Sequence, residues 1–110
     1  DSTVINTGGG KVYTVEVEQI LLRYQAISNA VVIGLPHPRF GKMVAAVVEG
    51  PQLNADTIDV AVIQADLKQH LADYKVPRKI YAIESMQRAT DGKIDYKFLS
   101  NFAEQCLANG

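Results

Sequence analysis

Two unbroken apolar runs organise the middle of the chain: Ala30-Val31-Val32-Ile33, closed by Gly34 and Pro36, and Met43-Val44-Ala45-Ala46-Val47-Val48, closed by Gly50-Pro51. Their length, β-branched content and flanking breakers predict two buried strands. Leu35 to Gly41 lies between them and reads as a turn whose two prolines forbid a ladder through it. Lys79-Ile80-Tyr81-Ala82-Ile83 reads as a third strand. Helical spacing appears three times. Val17, Ile20, Leu21 and Tyr24 follow i, i+3, i+4, i+7, with Thr14 as the expected N-cap and Glu16 and Glu18 in the first turn, so a helix is predicted over about Val15 to Tyr24. Asp56 is the expected cap of a second helix carrying Val60, Ile63, Leu67 and Leu71 on one face; Ile58 to Val62 also alternates like a strand, and the length of the pattern decides for helix. Tyr74-Lys75-Val76-Pro77 ends it. Glu84 to Lys93 is polar and contains Gly92, a loop, and Tyr96, Leu99, Ala103 and Cys106 form a last stripe ending near Gly110. Helix, strand, strand, helix, strand, helix implies an α+β fold, a small three-stranded sheet with helices packed on it.

Composition narrows the class. With 110 residues, 47% of them apolar, one core is expected, burying roughly 65% of the unfolded surface. Eleven basic against twelve acidic side chains leave a net charge of -1, which disfavours a polyanionic partner such as nucleic acid. The lone Cys106 forms no internal disulfide and no Cys-rich zinc site. Without a membrane-length apolar stretch or a signal-peptide pattern, the sequence reads as cytoplasmic. It opens on Asp1-Ser2-Thr3 with no starter Met, which reads as a cut inside a larger protein.

Three Gly-Lys pairs, Gly10-Lys11, Gly41-Lys42 and Gly92-Lys93, invite a phosphate-loop reading, and all three fail it. The Gly required five residues before the second Gly is Ile5, Pro36 or Gln87, and the Ser or Thr required after the Lys is Val12, Met43 or Ile94. Gly8-Gly9-Gly10 is no dinucleotide fingerprint either, because position 13 is Tyr. What remains is a strip of backbone without Cβ atoms, against which a narrow ligand can lie; a flexible turn ahead of a helix explains the same residues. His37 and His70 lack a ligand-spaced carboxylate constellation, so no metal site is expected. Lys93, after Gly92 on a polar loop, is free to enter another surface as a long-stemmed charge. Arg88, Lys75, Arg78 and Lys79 read as a solvated face.

Taken together, these pieces resemble the C-terminal domain of adenylate-forming acyl-CoA synthetases. Thr7-Gly8-Gly9-Gly10-Lys11-Val12-Tyr13 with Glu16-Val17-Glu18 is similar to the family's Gly-Gly-x-x-Val-Tyr-Pro-x-Glu-Val-Glu segment. Val31-Val32-Ile33-Gly34-Leu35-Pro36 with Gly41, then Tyr74-Lys75-Val76-Pro77-Arg78, then Gly92-Lys93, follow in the family's order. The surroundings Gln87-Arg88 and Asp95-Tyr96 are most similar to actinobacterial fatty-acyl or steroid-acid CoA ligases. Thr14 stands where the family has Pro, and Gln87 and Asp91 stand for its Pro and Ser/Thr. Asp91 puts a negative charge two residues from Lys93.

The resemblance implies that residues 1 to 110 are a single mobile lid domain of a two-domain ligase using ATP, CoA and Mg2+, these being bound mainly with an N-terminal domain that is absent here. Lys93 would be the catalytic lysine of carboxylate adenylation. After domain rotation Gly8 and Gly9 would line the CoA pantetheine tunnel. Lys11 would lie near the nucleotide phosphate, Lys68 would be a CoA-phosphate contact, and Ser2 would be the hinge. The isolated domain is expected to be inactive. The alternative is a free-standing small α+β binding or interaction module; an RNA-binding sheet would expose paired aromatics, and the strands Ala30 to Ile33 and Met43 to Val48 contain none.

Overall fold

The computed structural model describes residues 4–110. In chain order the elements are β1 (Val4–Thr7), β2 (Gly10–Tyr13), α1 (Thr14–Leu21), β3 (Asn29–His37), β4 (Gly41–Glu49), α2 (Val60–Leu67), a 3-10 turn (Asp73–Lys75), β5 (Lys79–Ala82) and α3 (Tyr96–Asn109). β1 and β2 form an antiparallel hairpin; the main sheet has the order β3-β4-β5. β3 and β4 are antiparallel, in register from Asn29↔Glu49 to His37↔Gly41. β5 joins β4 in parallel, from Ala45↔Lys79 to Val48↔Ala82, with α2 in the crossover. The α+β class and the three-stranded sheet are as expected.

The unbroken apolar runs follow from the layering. Successive side chains of a strand point to opposite faces. Ala30, Val32, Val44, Ala46 and Val48 pack with Val17 and Leu21 of α1, Ile63 and Leu67 of α2, and Ile5 and Val12 of the hairpin. Val31, Ile33, Leu35, Met43, Ala45 and Val47 pack instead with Leu99 and Ala103 of α3 and with Ile83 and Met86. Helices cover both faces, so neither parity has to be polar.

The elements differ from expectation in four places. The ladder runs through Pro36, paired with Lys42, so the prolines do not close the strand at Ile33. β3 is an edge strand, where a residue without an N–H need not interrupt pairing. Thr14 is the first residue of α1 and is buried, while the N-cap is Tyr13, with no side-chain cap. α1 ends at Leu21, so Tyr24 lies beyond it, and its phenol donates to Asp66 Oδ2 at 2.5 Å, joining this turn to α2. Asp59, rather than Asp56, caps α2 by accepting from the Val62 amide at 3.2 Å. The chain at Asp56 is already engaged in a turn in which Asn54 Oδ1 accepts from the amides of Asp56 and Thr57.

Candidate functional site

Gly8 and Gly9 are the two-residue tip of the β1-β2 hairpin, held by Thr7, whose Oγ1 donates to the Gly10 carbonyl and accepts from the Gly9 amide, both at 3.1 Å. The tip is packed from two sides. A Cβ on Gly8 would stand 3.1 Å from Phe40 Cδ1, and one on Gly9 would stand 2.6 Å from Tyr74 Cβ. At Gly9 only bare backbone fits this closely. The tip borders an open groove of about 660 Å³, to which Phe40, Lys42, Lys68, Tyr74 and Arg78 also contribute. Gly8, Gly9 and Lys68, singled out from sequence for one ligand, are therefore brought together. Lys11 is not among the groove's lining; it is exposed on β2, in register with Asn6.

Sequence reasoning missed the groove's aromatic and cationic walls. Arg78 lays its guanidinium 4.8 Å from the centre of the Phe40 ring. His37 stacks on the same ring at 4.3 Å with 10° between the planes, while its Nδ1 accepts from the amides of Arg39 and Phe40, both at 3.1 Å. His37 thus has a local structural task and presents no metal-binding arrangement; among the described residues no three His, Cys, Asp or Glu side chains cluster as cation ligands. Beside Tyr74, Lys75 places its Nζ 5.9 Å from the centre of the Tyr74 ring and 3.0 Å from Glu16 Oε1. That hydrogen bond raises the Lys75 pKa against a smaller opposing effect of desolvation. Gln64 of α2 donates to the carbonyls of Pro77 and Arg78 at 3.0 and 3.2 Å, fixing where β5 begins. The signal that was available was Tyr74-Lys75-Val76-Pro77-Arg78 itself, read as a helix breaker and a solvated face.

Lys93 belongs to a second cluster. Its side chain is 84% exposed on the loop between β5 and α3. The loop is braced: the Ala89 amide donates to the Lys93 carbonyl at 3.1 Å, and the Gly92 amide to the Ala89 carbonyl at 2.8 Å. The Lys93 amide donates to Asp91 Oδ1 at 3.0 Å. Gly92 takes φ +84°, a conformation that suits glycine. The Lys93 amine is 3.9 Å from Asp91 Oδ2, a loose pair between exposed groups. Arg88 ties the loop to Asn29 at the start of β3. Cys106 is half-buried, and burial raises its thiol pKa. Ser2, the expected hinge, lies outside the described residues.

The two clusters sit at opposite ends of the β3-β4 ribbon. Phe40 and Lys42 to Val44 place the groove at the end closed by His37↔Gly41; Asn29↔Glu49 marks the other end, where the Lys93 loop is tied. Eight residue steps separate Asn29 from His37, roughly 26 Å at about 3.3 Å per step.

Comparison with known proteins agrees with this architecture. The pattern of the family described as AMP-binding enzyme C-terminal domain matches residues 16–93. A medium/long-chain-fatty-acid–CoA/3-oxocholest-4-en-26-oate–CoA ligase of Mycolicibacterium smegmatis is 38% identical over 104 residues, which are 94% of this chain and 18% of that protein. A 3-oxocholest-4-en-26-oate–CoA ligase of Rhodococcus rhodochrous is 38% identical over 100 residues, 88% of this chain and 17% of that protein. Among solved structures, the fatty acyl CoA synthetase of Mycobacterium tuberculosis superposes with a TM-score of 0.79 at 31% identity, covering 90% of this chain and 19% of that one. ATP-bound MatB of Rhodopseudomonas palustris gives 0.81 at 32% identity, covering 92% of this chain and 20% of that one. The chain spans less than a fifth of the length of these curated relatives. With the matched pattern covering most of the chain and its flanks aligning as well, the chain belongs to the AMP-binding enzyme C-terminal domain family.

Proposed function

We propose that residues 1 to 110 act as the mobile C-terminal lid of an AMP-forming acyl-CoA synthetase and present two different surfaces to one active site in an N-terminal domain of the same protein. In the first half-reaction a carboxylate oxygen attacks the α-phosphorus of ATP and pyrophosphate leaves. Lys93 supplies a fixed positive charge where the acyl carboxylate and α-phosphate meet, offsetting the crowding of negative oxygens without transferring a proton. Lys11 stands near the nucleotide phosphate. In the second half-reaction the CoA sulfur, its proton lost, attacks the acyl carbon, and AMP leaves with the electron pair of the broken C–O bond. Gly8 and Gly9 then line the path of the pantetheine arm, and Lys68 contacts a CoA phosphate. Lys42 and Arg78 add positive charge to the same groove, and the Phe40 and Tyr74 rings add apolar walls. Mg2+ travels with ATP, and rotation about Ser2 exchanges the surfaces.

The observation that carries this reading is the separation of the Lys93 loop from the Gly8-Gly9 groove along one rigid ribbon. Elements tied to opposite ends of one packed ribbon do not face a single reacting centre in one orientation of the domain. Reorientation resolves this. In the full-length protein carrying this domain, Lys93→Ala is expected to slow acid-dependent pyrophosphate release by orders of magnitude and to leave thioester formation from supplied acyl-adenylate largely intact. Equal losses in the two half-reactions refute the assignment.

A further inference from the structure

Arg88 lies on the loop between β5 and α3, five residues before Lys93. Its two terminal nitrogens serve different partners: Nη1 donates to the Gly92 carbonyl at 2.9 Å, and Nη2 donates to Asn29 Oδ1 at 3.0 Å. The first partner is the residue directly before Lys93. The second begins β3, 59 positions away, and its own Nδ2 donates to Glu49 Oε1 at 3.0 Å, across the last pair of the ribbon. A continuous path therefore runs from the backbone at Lys93 through Arg88 and Asn29 to the end of the central strand β4. Arg88 is exposed and belongs to neither apolar cluster, so this fork is its principal engagement. A lysine here would offer one point of donation, whereas the planar guanidinium spans both acceptors at once.

We infer that Arg88 is a positioning residue for Lys93: it fixes the base of a long, exposed side chain to the rigid sheet, so that a domain movement delivers the amine to a defined point. The inference rests on the reading of Lys93 given above. Proximity-based contributions are steep functions of placement, and about 1 Å of misplacement costs on the order of a hundredfold. Untying the loop should affect only the half-reaction in which the amine is used.

The test uses the full-length protein with Arg88→Ala, Arg88→Lys, Asn29→Ala, the Arg88→Ala/Asn29→Ala double variant and Lys93→Ala as reference. Expected for Arg88→Ala is a fall of about ten- to hundredfold in kcat for pyrophosphate release, with KM for ATP and acid within about twofold. Thioester formation from supplied acyl-adenylate should stay within about twofold, and the melting temperature within about 2 °C, as for an exposed substitution. Arg88→Lys should recover part of the rate, and the double variant should be no slower than the slower single one, because both changes cut the same path. Equal losses in both half-reactions, losses that track the melting temperature, or additive effects in the double variant would overturn the tether. Full adenylation by Arg88→Ala alongside an inactive Lys93→Ala overturns the tether and leaves the lysine reading standing. Full adenylation by Lys93→Ala overturns both.

Discussion

Gly9 and Tyr74 touch so closely that no side chain fits between them: a Cβ on Gly9 would lie 2.6 Å from Tyr74 Cβ and 2.8 Å from its Cγ. The nearer of the two, Cβ, is fixed by the backbone, so rotation about the side-chain bonds gives it no relief. Gly9→Ala therefore forces the hairpin tip or the 3-10 turn to shift, at a cost of about 1–3 kcal/mol. Gly8 meets the outer ring atom Phe40 Cδ1 at 3.1 Å, which a small ring movement accommodates. Chemical denaturation of the two alanine variants should show Gly9→Ala clearly less stable than Gly8→Ala. An equal stability would contradict the contact.

The same geometry makes Gly8 the position at which to probe the groove. It is exposed, and a long side chain there has space to extend over the opening. On the proposed function, in which the tip serves only the CoA-bound orientation, Gly8→Leu in the full-length protein is expected to lower the rate of thioester formation about tenfold or more while pyrophosphate release stays within about threefold. A parallel fall in both rates would show that the tip serves the fold alone.

Tyr24 joins two helical regions that share no sequence neighbourhood, donating to Asp66 Oδ2 at 2.5 Å across 42 positions. Burial, then the bond to Asp66 and the charge of that carboxylate, push the phenol up to about 12. The folded-state value is raised, so the contribution is complete below the ordinary phenol value of 10.0 and is lost as pH rises toward about 12. Tyr24→Phe should cost about 1 kcal/mol at neutral pH, the ordinary worth of such a bond. The phenol absorbance of the wild chain should titrate about two pH units later at Tyr24 than in the unfolded chain. A variant as stable as the parent would deny the bond any net value.

The sheet was legible because both of its faces are covered. Continuous runs at 30–33 and 43–48 leave a strand no polar face, and the three-stranded core with its helices follows from that. The ends were harder to place. The pattern alone points to Asp56 as the cap, and the turn closed there by Asn54 moves the cap to Asp59. Pro36 reads as a terminator in the sequence because edge position is a property of topology, invisible before strand order is known. Of the groove, the Gly8-Gly9 strip was visible as missing side chains, and Lys68 only through resemblance. Phe40 and Arg78 were not read as partners because the parallel crossover from β4 to β5 brings them together across 37 intervening residues. The Lys93 loop was evident locally from Gly92, but its anchor at Asn29 required tertiary structure.

Glu18 gives a pH-dependent test of the packing beneath that anchor. Its carboxylate accepts from the Val32 amide at 2.9 Å. Burial raises its pKa, against the lowering effects of the Val32 bond and of the Arg88 charge. A carboxyl whose folded value is raised binds its proton more tightly in the folded state, so stability is lost as pH rises through the window between the ordinary value of 4.5 and the raised one. Glu18→Gln retains an acceptor for Val32 and carries no charge. Its melting temperature relative to the parent should therefore be more favourable at pH 7 than at pH 4. The opposite trend would mean that Arg88 and Val32 outweigh burial.

Asp91 offers the last test, of whether charge or backbone geometry is its contribution. Its Oδ1 accepts the Lys93 amide at 3.0 Å, while its Oδ2 stays 3.9 Å from the amine, with the two side chains 57% and 84% exposed. A loose pair between exposed side chains contributes little in water, so the carboxylate is expected to restrain the amine only weakly. The amide bond is different, because it closes the turn from which Lys93 projects. Asp91→Ser keeps a short oxygen acceptor and removes the charge; Asp91→Ala removes both. Pyrophosphate release by the full-length protein should stay within about twofold for Asp91→Ser and fall further, by about three- to tenfold, for Asp91→Ala. If Asp91→Ser instead accelerates the reaction severalfold at low ionic strength and the gain disappears in high salt, the carboxylate restrains the amine electrostatically, and the turn-closing role is secondary.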